Sequence, residues 1–304
     1  MNNPERLNSH NTLSRLITYS LMAFFTLSTC SVLAQKGSLG GSSLPEPLAS
    51  LELPRIQVAP ITDSATGRAY ELYIKLPEAY SEDEEKKYPV LYFTDALWHI
   101  ELLSGASEYL MDNIILVGIS WQKDEIPQVS RFRDFSLLPD MHEKYESGQA
   151  ANHLSFIKKD VFGYIDNHYR TDTNQRSYFG YSMGGAFGAY ILLSQPNTFR
   201  NYILGSPTTL LDDSFLYNQE LLKVSEARDL DLNVFISIGE LEEKTMIEQA
   251  EGLIAMLERE RLLKNSATLE LVDSADHSSA FPMTTVRSLY WLMGKLNSIP
   301  GQGN

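Results

Sequence analysis

Residues 177–189 read Ser177-Tyr-Phe-Gly180-Tyr-Ser182-Met-Gly184-Gly-Ala-Phe-Gly-Ala189, and this stretch decides the fold of the 304-residue chain. Its apolar beginning predicts the end of a strand, and its small residues from 185 onward predict a helix that packs closely. The turn between them is so tight that the residues two before and two after Ser182 crowd each other, which explains why both are glycine. Such a turn strains the serine backbone and lifts its hydroxyl clear of the sheet. We therefore expect Ser182 to be a nucleophile.

The segments around this stretch alternate between apolar runs and helical spacing. Strands are predicted at residues 88–94, 113–119, 176–181, 201–204, 233–238 and 268–272, and helices between the first two strands and at 154–169, 185–193, 242–263 and 283–296. Alternating residues at 55–61 and 69–74 flank the turn Asp63-Ser-Ala-Thr-Gly67 and predict an antiparallel hairpin. This order predicts an α/β fold with a mostly parallel central sheet, helices on both faces and an N-terminal antiparallel hairpin.

The first 34 residues have the pattern of a signal peptide. Arg6 and Arg15 precede an uncharged apolar stretch at 16–33, and small residues end it at Ala34. We expect cleavage there, then a flexible lead-in at 35–54 and one domain at 55–298. Alternatives are a retained membrane anchor, or a lipoprotein signal at Leu27-Ser-Thr-Cys30. The expected location is the periplasm of a Gram-negative source, without stable membrane insertion after cleavage.

Composition restricts the possible partners and the redox chemistry. The formal net charge of −14 would repel a phosphate backbone, so a nucleic-acid partner is not expected. Hydrophobic residues make up 43% of the chain, which suffices for a packed core. Cys30 is the sole cysteine and lies in the leader, so the exported chain would hold no disulfide. A neutral, small-molecule partner is therefore favoured.

A serine nucleophile needs a base, and His277 is the only histidine that follows Ser182. It lies in a polar loop directly after the last predicted strand, where an imidazole can reach back to the serine. The alternative is a solvated loop histidine. The acid that orients the base is expected after strand 233–238, where Glu240, Glu242 and Glu243 are candidates. Glutamates are also favoured in any first helical turn, so these residues alone leave the choice open.

An oxyanion hole requires two backbone N–H groups aimed at the developing charge. Met183 directly follows the nucleophile and is one expected donor, and Leu97, after the strand at 88–94, is the other. The histidines show no tight metal-ligand spacing apart from His99-Ile-Glu101, a pattern more typical of a helix surface. No metal and no cofactor are expected.

The sequence resembles the putative-esterase family of α/β-hydrolases, which includes enterochelin and salmochelin esterases, S-formylglutathione hydrolases, feruloyl esterase domains and mycolyltransferases. The resemblance covers residues 55–296 and is carried by Tyr88-Pro-Val-Leu-Tyr-Phe-Thr-Asp95, Arg131-Phe-Arg-Asp-Phe135, Gly180-Tyr-Ser-Met-Gly-Gly185, Gly239-Glu-Leu-Glu242 and His277. It implies Ser182 as nucleophile and His277 as base. It also selects Glu242, because the family's acid commonly stands three residues after a glycine, and supports Leu97 and Met183 as oxyanion donors. Ala96 departs from the glycine that many relatives have at that position.

The expected function is hydrolysis of a small carboxylic ester through an acyl-enzyme, in the style of the siderophore esterases. An acyltransferase that uses the same residues is one alternative, and a catalytically silent binding protein is another. The segment at 121–149 contributes Trp121, Phe132, Phe135 and Tyr145, which either line an acyl or aromatic pocket or pack in the core.

Overall fold

The computed structural model describes residues 55–111, 113–139, 144–207 and 229–297. All of them belong to the compact unit that begins at Glu52. The expected signal peptide and lead-in lie outside the described residues. Within the described ranges, no helix is both long and apolar enough to cross a bilayer.

An eight-stranded sheet forms the centre of the described part, in the order β1-β2-β4-β3-β5-β6-β7-β8. The strands are β1 Ile56–Thr62, β2 Ala69–Lys75, β3 Tyr88–Phe93, β4 Ile115–Ile119, β5 Thr171–Tyr181, β6 Asn201–Gly205, β7 Asn233–Gly239 and β8 Thr268–Val272. β1 and β2 form an antiparallel hairpin, β2 pairs antiparallel with β4, and the remaining pairs are parallel. The predicted sheet and hairpin are confirmed.

Helices cover both faces of the sheet. They are α1 Ala96–Leu110, α2 Pro127–Phe135, α3 Ala150–Phe156, α4 Phe162–His168, α5 Met183–Ser194, α6 Lys244–Arg259 and α7 Ala280–Asn297, and a π-helical turn at Ile157–Val161 joins α3 to α4. α1 and α7 contribute Leu103 and Leu292 to the core on one face, whereas α5 and α6 contribute Phe187 and Leu253 to the core on the other. Central strands such as β3 and β4 are buried throughout because both faces are covered.

Two helical segments differ from the prediction. α6 begins two residues later than expected because Glu242 remains in a turn, where its N–H bonds the Gly239 carbonyl at 3.2 Å. It ends at Arg259, and Arg261 soon after has a positive φ of 49°, which a continuing helix does not allow. α2, which begins with Pro127, lies in the segment at 121–149 for which no helix was predicted.

The parallel register brings the functional segments to one edge of the sheet. Phe93 of β3 lies opposite Phe179 of β5, and Tyr181 at the end of β5 lies opposite Gly205 of β6. Gly205 in turn pairs with Ser237 of β7. The loops that follow these strands therefore leave from the carboxyl edge, where open α/β sheets bind their ligands.

Candidate active site

Ser182 stands alone between the end of β5 and the start of α5, with φ 57° and ψ −121°. A side chain on Gly180 would place its Cβ 2.2 Å from the Gly184 carbonyl oxygen, and one on Gly184 would lie 2.4 Å from Thr94 Oγ1. Both distances are far below van der Waals contact. The turn itself therefore requires glycine at 180, and the Thr94 side chain, which follows β3, favours glycine at 184. The Ser182 N–H donates to the Gly205 carbonyl at 2.8 Å, which anchors the strained residue to β6.

His277 and Glu242 form a hydrogen-bonded pair beside this turn. His277 Nδ1 lies 2.7 Å from Glu242 Oε2. The other carboxylate oxygen, Oε1, accepts the Ser206 hydroxyl at 2.7 Å and the Gly239 N–H at 2.8 Å. The Glu242 side chain has no exposed surface, whereas the imidazole of His277 is 38% exposed. A buried carboxylate with both oxygens occupied holds the imidazole in one orientation and leaves its other nitrogen open.

The environment of Glu242 favours its ionised form. Burial by itself raises the pKa of this carboxyl, but the hydrogen bonds from His277, Ser206 and the Gly239 N–H outweigh it, so the pKa lies below the ordinary value. The carboxylate is therefore charged at neutral pH and can stabilise an imidazolium.

Only one of the three candidate glutamates reaches the imidazole. Glu240 turns to the opposite loop, where its Oε2 accepts the Ser274 N–H at 2.8 Å. Glu243 is exposed and directly precedes α6. Glu242 points inward because its own N–H folds back to Gly239 and the N–H of Leu241 bonds Ala275 at 2.9 Å, which fixes the turn against the loop that carries His277.

Tyr181 and Ser206 complete the surroundings of His277, and sequence reasoning did not anticipate either. Tyr181 Oη donates to the His277 carbonyl at 2.6 Å, and the two rings lie 5.4 Å apart. Ser206 Oγ lies 3.0 Å from Tyr181 Oη as well as beside Glu242, so it bridges the two. Ser206 is the first residue after the buried strand β6, and a polar residue at such a place is the signal that could have identified it.

The turn at Ser182 and the loop of His277 are connected through Tyr181, which immediately precedes Ser182 in the chain. Within the described ranges no hydrogen bond joins the Ser182 hydroxyl directly to His277. Catalytic hydrogen bonds of unliganded enzymes are often long and tighten only when substrate is bound, so this geometry is compatible with a nucleophile and its base.

The two predicted oxyanion donors lie at the starts of helices that follow adjacent strands. Met183 is the first residue of α5 and Leu97 the second residue of α1, and N–H groups in a first helical turn have no intrahelical acceptor. α1 follows β3 and α5 follows β5, which are adjacent parallel strands. Ala96 is fully buried, and a side chain on Gly118 of β4 would place its Cβ 2.8 Å from the Ala96 Cβ. Glycine in β4 thus makes room for Ala96.

Arg131 fixes the turn that carries Leu97. Asp95, the residue before α1, is buried and has a positive φ of 57°. Arg131 donates two hydrogen bonds to the Asp95 carboxylate, from Nε at 2.8 Å and from Nη2 at 3.1 Å. Such a fork holds a carboxylate in one plane, so it stabilises a backbone conformation that an aspartate rarely adopts alone.

The aromatic residues of the segment at 121–149 have different environments. Phe135 is buried and stacks on Phe187 with ring centroids 5.3 Å apart, which places it in the core. Phe132 and Tyr145 lie 5.6 Å from each other. Trp121 contacts Trp98, a residue that sequence reasoning did not single out.

The His99-Ile-Glu101 pattern does not form a metal site. His99 is buried, and its Nδ1 lies 3.0 Å from the Thr94 carbonyl. In the part of the chain that the structure describes, no cluster of histidine, cysteine, aspartate and glutamate has an arrangement that could hold a metal ion.

The chain matches the family model described as Putative esterase over residues 64–289. It belongs to the putative-esterase family. This member is a carboxylic ester hydrolase, and its substrate is a small-molecule ester. The resemblance noted from the sequence is thereby confirmed.

Several relatives and solved structures are similar to this esterase. It is 25% identical over 259 residues to the ferri-bacillibactin esterase BesA of Bacillus subtilis (strain 168), across 78% of this chain and 89% of that protein. The BES protein from Bacillus cereus has a TM-score of 0.69 at 21% identity, covering 83% of this chain and 99% of its own. The enterobactin and salmochelin hydrolase IroE has a TM-score of 0.58 at 20% identity, covering 79% and 96%. These two structures share the fold.

Proposed function

We propose that this esterase works through an acyl-enzyme on Ser182, with His277 as general base and Glu242 as the residue that orients it. The observation that carries the proposal is the 2.7 Å bond between His277 Nδ1 and a fully buried carboxylate of Glu242, in a loop tied to the residue before Ser182. Because Nδ1 is engaged by Glu242, Nε2 is the nitrogen left to accept a proton.

The proposed reaction has two steps, formation of the acyl-enzyme and its hydrolysis. Ser182 Oγ attacks the ester carbonyl carbon while His277 Nε2 takes the hydroxyl proton, and the carbonyl π electrons move onto oxygen. The N–H groups of Met183 and Leu97 stabilise that oxyanion. Collapse breaks the bond to the alcohol, which leaves with the proton from His277. Water then attacks the acyl-enzyme with His277 again as base, and this releases the acid and restores Ser182.

Siderophore esters are the substrate class that we propose. The support comes from relatives: BesA is described as a ferri-bacillibactin esterase and IroE as an enterobactin and salmochelin hydrolase. An exported enzyme would meet such esters outside the cytoplasm, and we propose export directed by residues 1–34.

Removal of the nucleophile or of the base tests the mechanism. Ser182→Ala and His277→Ala should each lower kcat by a factor on the order of 10⁴, because each removes a part of one chemical unit. Ser278→Ala is the matched control, since Ser278 is exposed and adjacent to His277. A fluorophosphonate probe should label the wild type and the control but not Ser182→Ala. A Ser182→Ala variant that kept half of the activity would overturn the proposal.

A further inference from the structure

Two indole rings lie together at the carboxyl edge of the sheet. Trp98 is the third residue of α1, which follows β3, and Trp121 comes two residues after the end of β4. β3 and β4 are paired neighbours, so both rings emerge at the same edge. Their centroids are 5.1 Å apart and their planes are tilted by 53°. Trp98 remains 48% exposed, although it is an aromatic residue in contact with another.

The position of Trp98 is fixed from two sides. Its backbone N–H donates to the Asp95 carbonyl at 2.9 Å. The Arg131 guanidinium lies 5.0 Å from the centre of its ring, and the same guanidinium is held by the Asp95 carboxylate through two hydrogen bonds. A ring fixed in this way loses little conformational entropy when a ligand packs on it.

We propose that Trp98 and Trp121 form an aromatic shelf that binds a planar aromatic ring of the ester substrate. The inference rests on the proposed function, because Trp98 directly follows Leu97, the proposed oxyanion donor. Neighbouring Cα atoms are about 3.8 Å apart, so an ester carbonyl bound at the Leu97 N–H has its substituents within reach of Trp98.

The chemistry of the shelf selects an arene over an alkyl chain. Two tilted indoles offer a third ring one face and one edge, which are the geometries that aromatic pairs prefer. An alkyl chain gains only the burial of apolar surface there. The charge of Arg131 is matched by Asp95, so the shelf is suited to a neutral ring rather than to a carboxylate.

The test compares aryl and alkyl esters that share the other half of the molecule. Ethyl cinnamate against ethyl hexanoate examines the acyl side, and benzyl acetate against hexyl acetate examines the alcohol side. Trp98→Ala, Trp98→Phe and Trp121→Ala are assayed beside Tyr109→Ala, a control that removes a 91% exposed ring farther along α1. The melting temperature of each variant verifies that it is folded.

In at least one pair of esters, the aryl-to-alkyl ratio of kcat/KM should fall about three- to tenfold in Trp98→Ala and Trp121→Ala. It should fall less in Trp98→Phe, which keeps a ring, and stay unchanged in Tyr109→Ala. Ratios that match the wild type in both pairs for both alanine variants, while turnover still requires Ser182, would overturn the shelf alone. Turnover that does not require Ser182 would overturn the proposed function together with the shelf.

Discussion

His277 Nδ1 and Glu242 Oε2 are 2.7 Å apart, and the carboxylate that accepts this bond is buried with its second oxygen already occupied. Glu242→Gln should therefore lower kcat/KM by at least about tenfold. If the amide oxygen of the glutamine accepts from His277, its NH₂ group faces the Ser206 hydroxyl and the Gly239 N–H, which are also donors. The loss should be smaller than for Ser182→Ala.

Glu240→Gln and Glu243→Gln are the matched controls for this variant, since both lie in the same turn without contacting His277. All three variants are compared by kcat/KM at one pH. A larger loss at Glu240 or Glu243 would assign the orienting role to another carboxylate, and three near-normal variants would show that His277 is oriented by something else.

Ser206→Ala should weaken both the site and the fold. The substitution removes a hydroxyl that donates to the buried carboxylate of Glu242, and a hydrogen bond to a charged group contributes roughly 1.5–3 kcal/mol. The free energy of unfolding, measured with urea, should fall by about that amount. Ser278→Ala, on the exposed loop, should leave it unchanged. Equal stabilities of the two variants would contradict this account.

Arg131→Lys should lower kcat by about tenfold with little change in KM. An ammonium cannot form the bidentate hydrogen bonds to the Asp95 carboxylate that fix the turn carrying Leu97. Arg261→Lys serves as control, since that side chain is 75% exposed. An equal rise of KM with constant kcat would instead assign Arg131 to substrate binding.

His153 should make the fold sensitive to acid. Burial lowers the pKa of this imidazole against the opposing pull of Asp134, so the folded state disfavours its protonation, whereas the unfolded chain does not. His153 is neutral in both states above the pKa that it has in the unfolded chain, about 6.5, so it does not reduce the free energy of unfolding there. Below that pH the unfolded chain takes up a proton first, and the free energy of unfolding falls until the pH reaches the lower pKa of the folded state. In His153→Gln the free energy of unfolding should fall less steeply with decreasing pH below 6.5. The slope should decrease by up to about 1.4 kcal/mol per pH unit, which is the linkage value for one proton.

The groups that face His153 must be considered in this experiment. Asp134 and Arg133 on α2 lie next to it, and Tyr70, Phe135, Phe156 and Phe187 surround its ring. His168→Gln, at an exposed position, is the control. Urea titrations from pH 4 to 8 in which both variants decline in parallel with the wild type would refute the assignment.

Export predicts that the mature chain begins at Gln35. Mass spectrometry of the exported protein should find that N-terminus and no lipid. An acylated Cys30 would establish a lipoprotein, and an intact leader in the membrane fraction would establish an anchor.

The sequence predicted those features that depend on local geometry. Gly180 is required by the turn itself, so residues 177–189 sufficed to locate the turn, whereas the contact of Gly184 with Thr94 depends on a distant strand. The residues alone left Glu240, Glu242 and Glu243 open, and the family resemblance selected Glu242. In the structure, the fold of the Glu242 turn against Ala275 separates it from Glu240. Tyr181 and Trp98 act through partners nearly a hundred and about two dozen positions away, so no local pattern shows their contacts.

The loop that carries His277 follows β8, the edge strand of the sheet, which pairs with β7 on one side and has Leu269 and Leu271 exposed. Edges of sheets open before the centre does, in local fluctuations that leave the rest of a protein folded. The proposed base thus follows an edge strand, whereas the proposed nucleophile follows the central strand β5. We therefore expect inactivation in warm solution to begin at this edge of the sheet, so stabilising substitutions belong there rather than in the turn at Ser182.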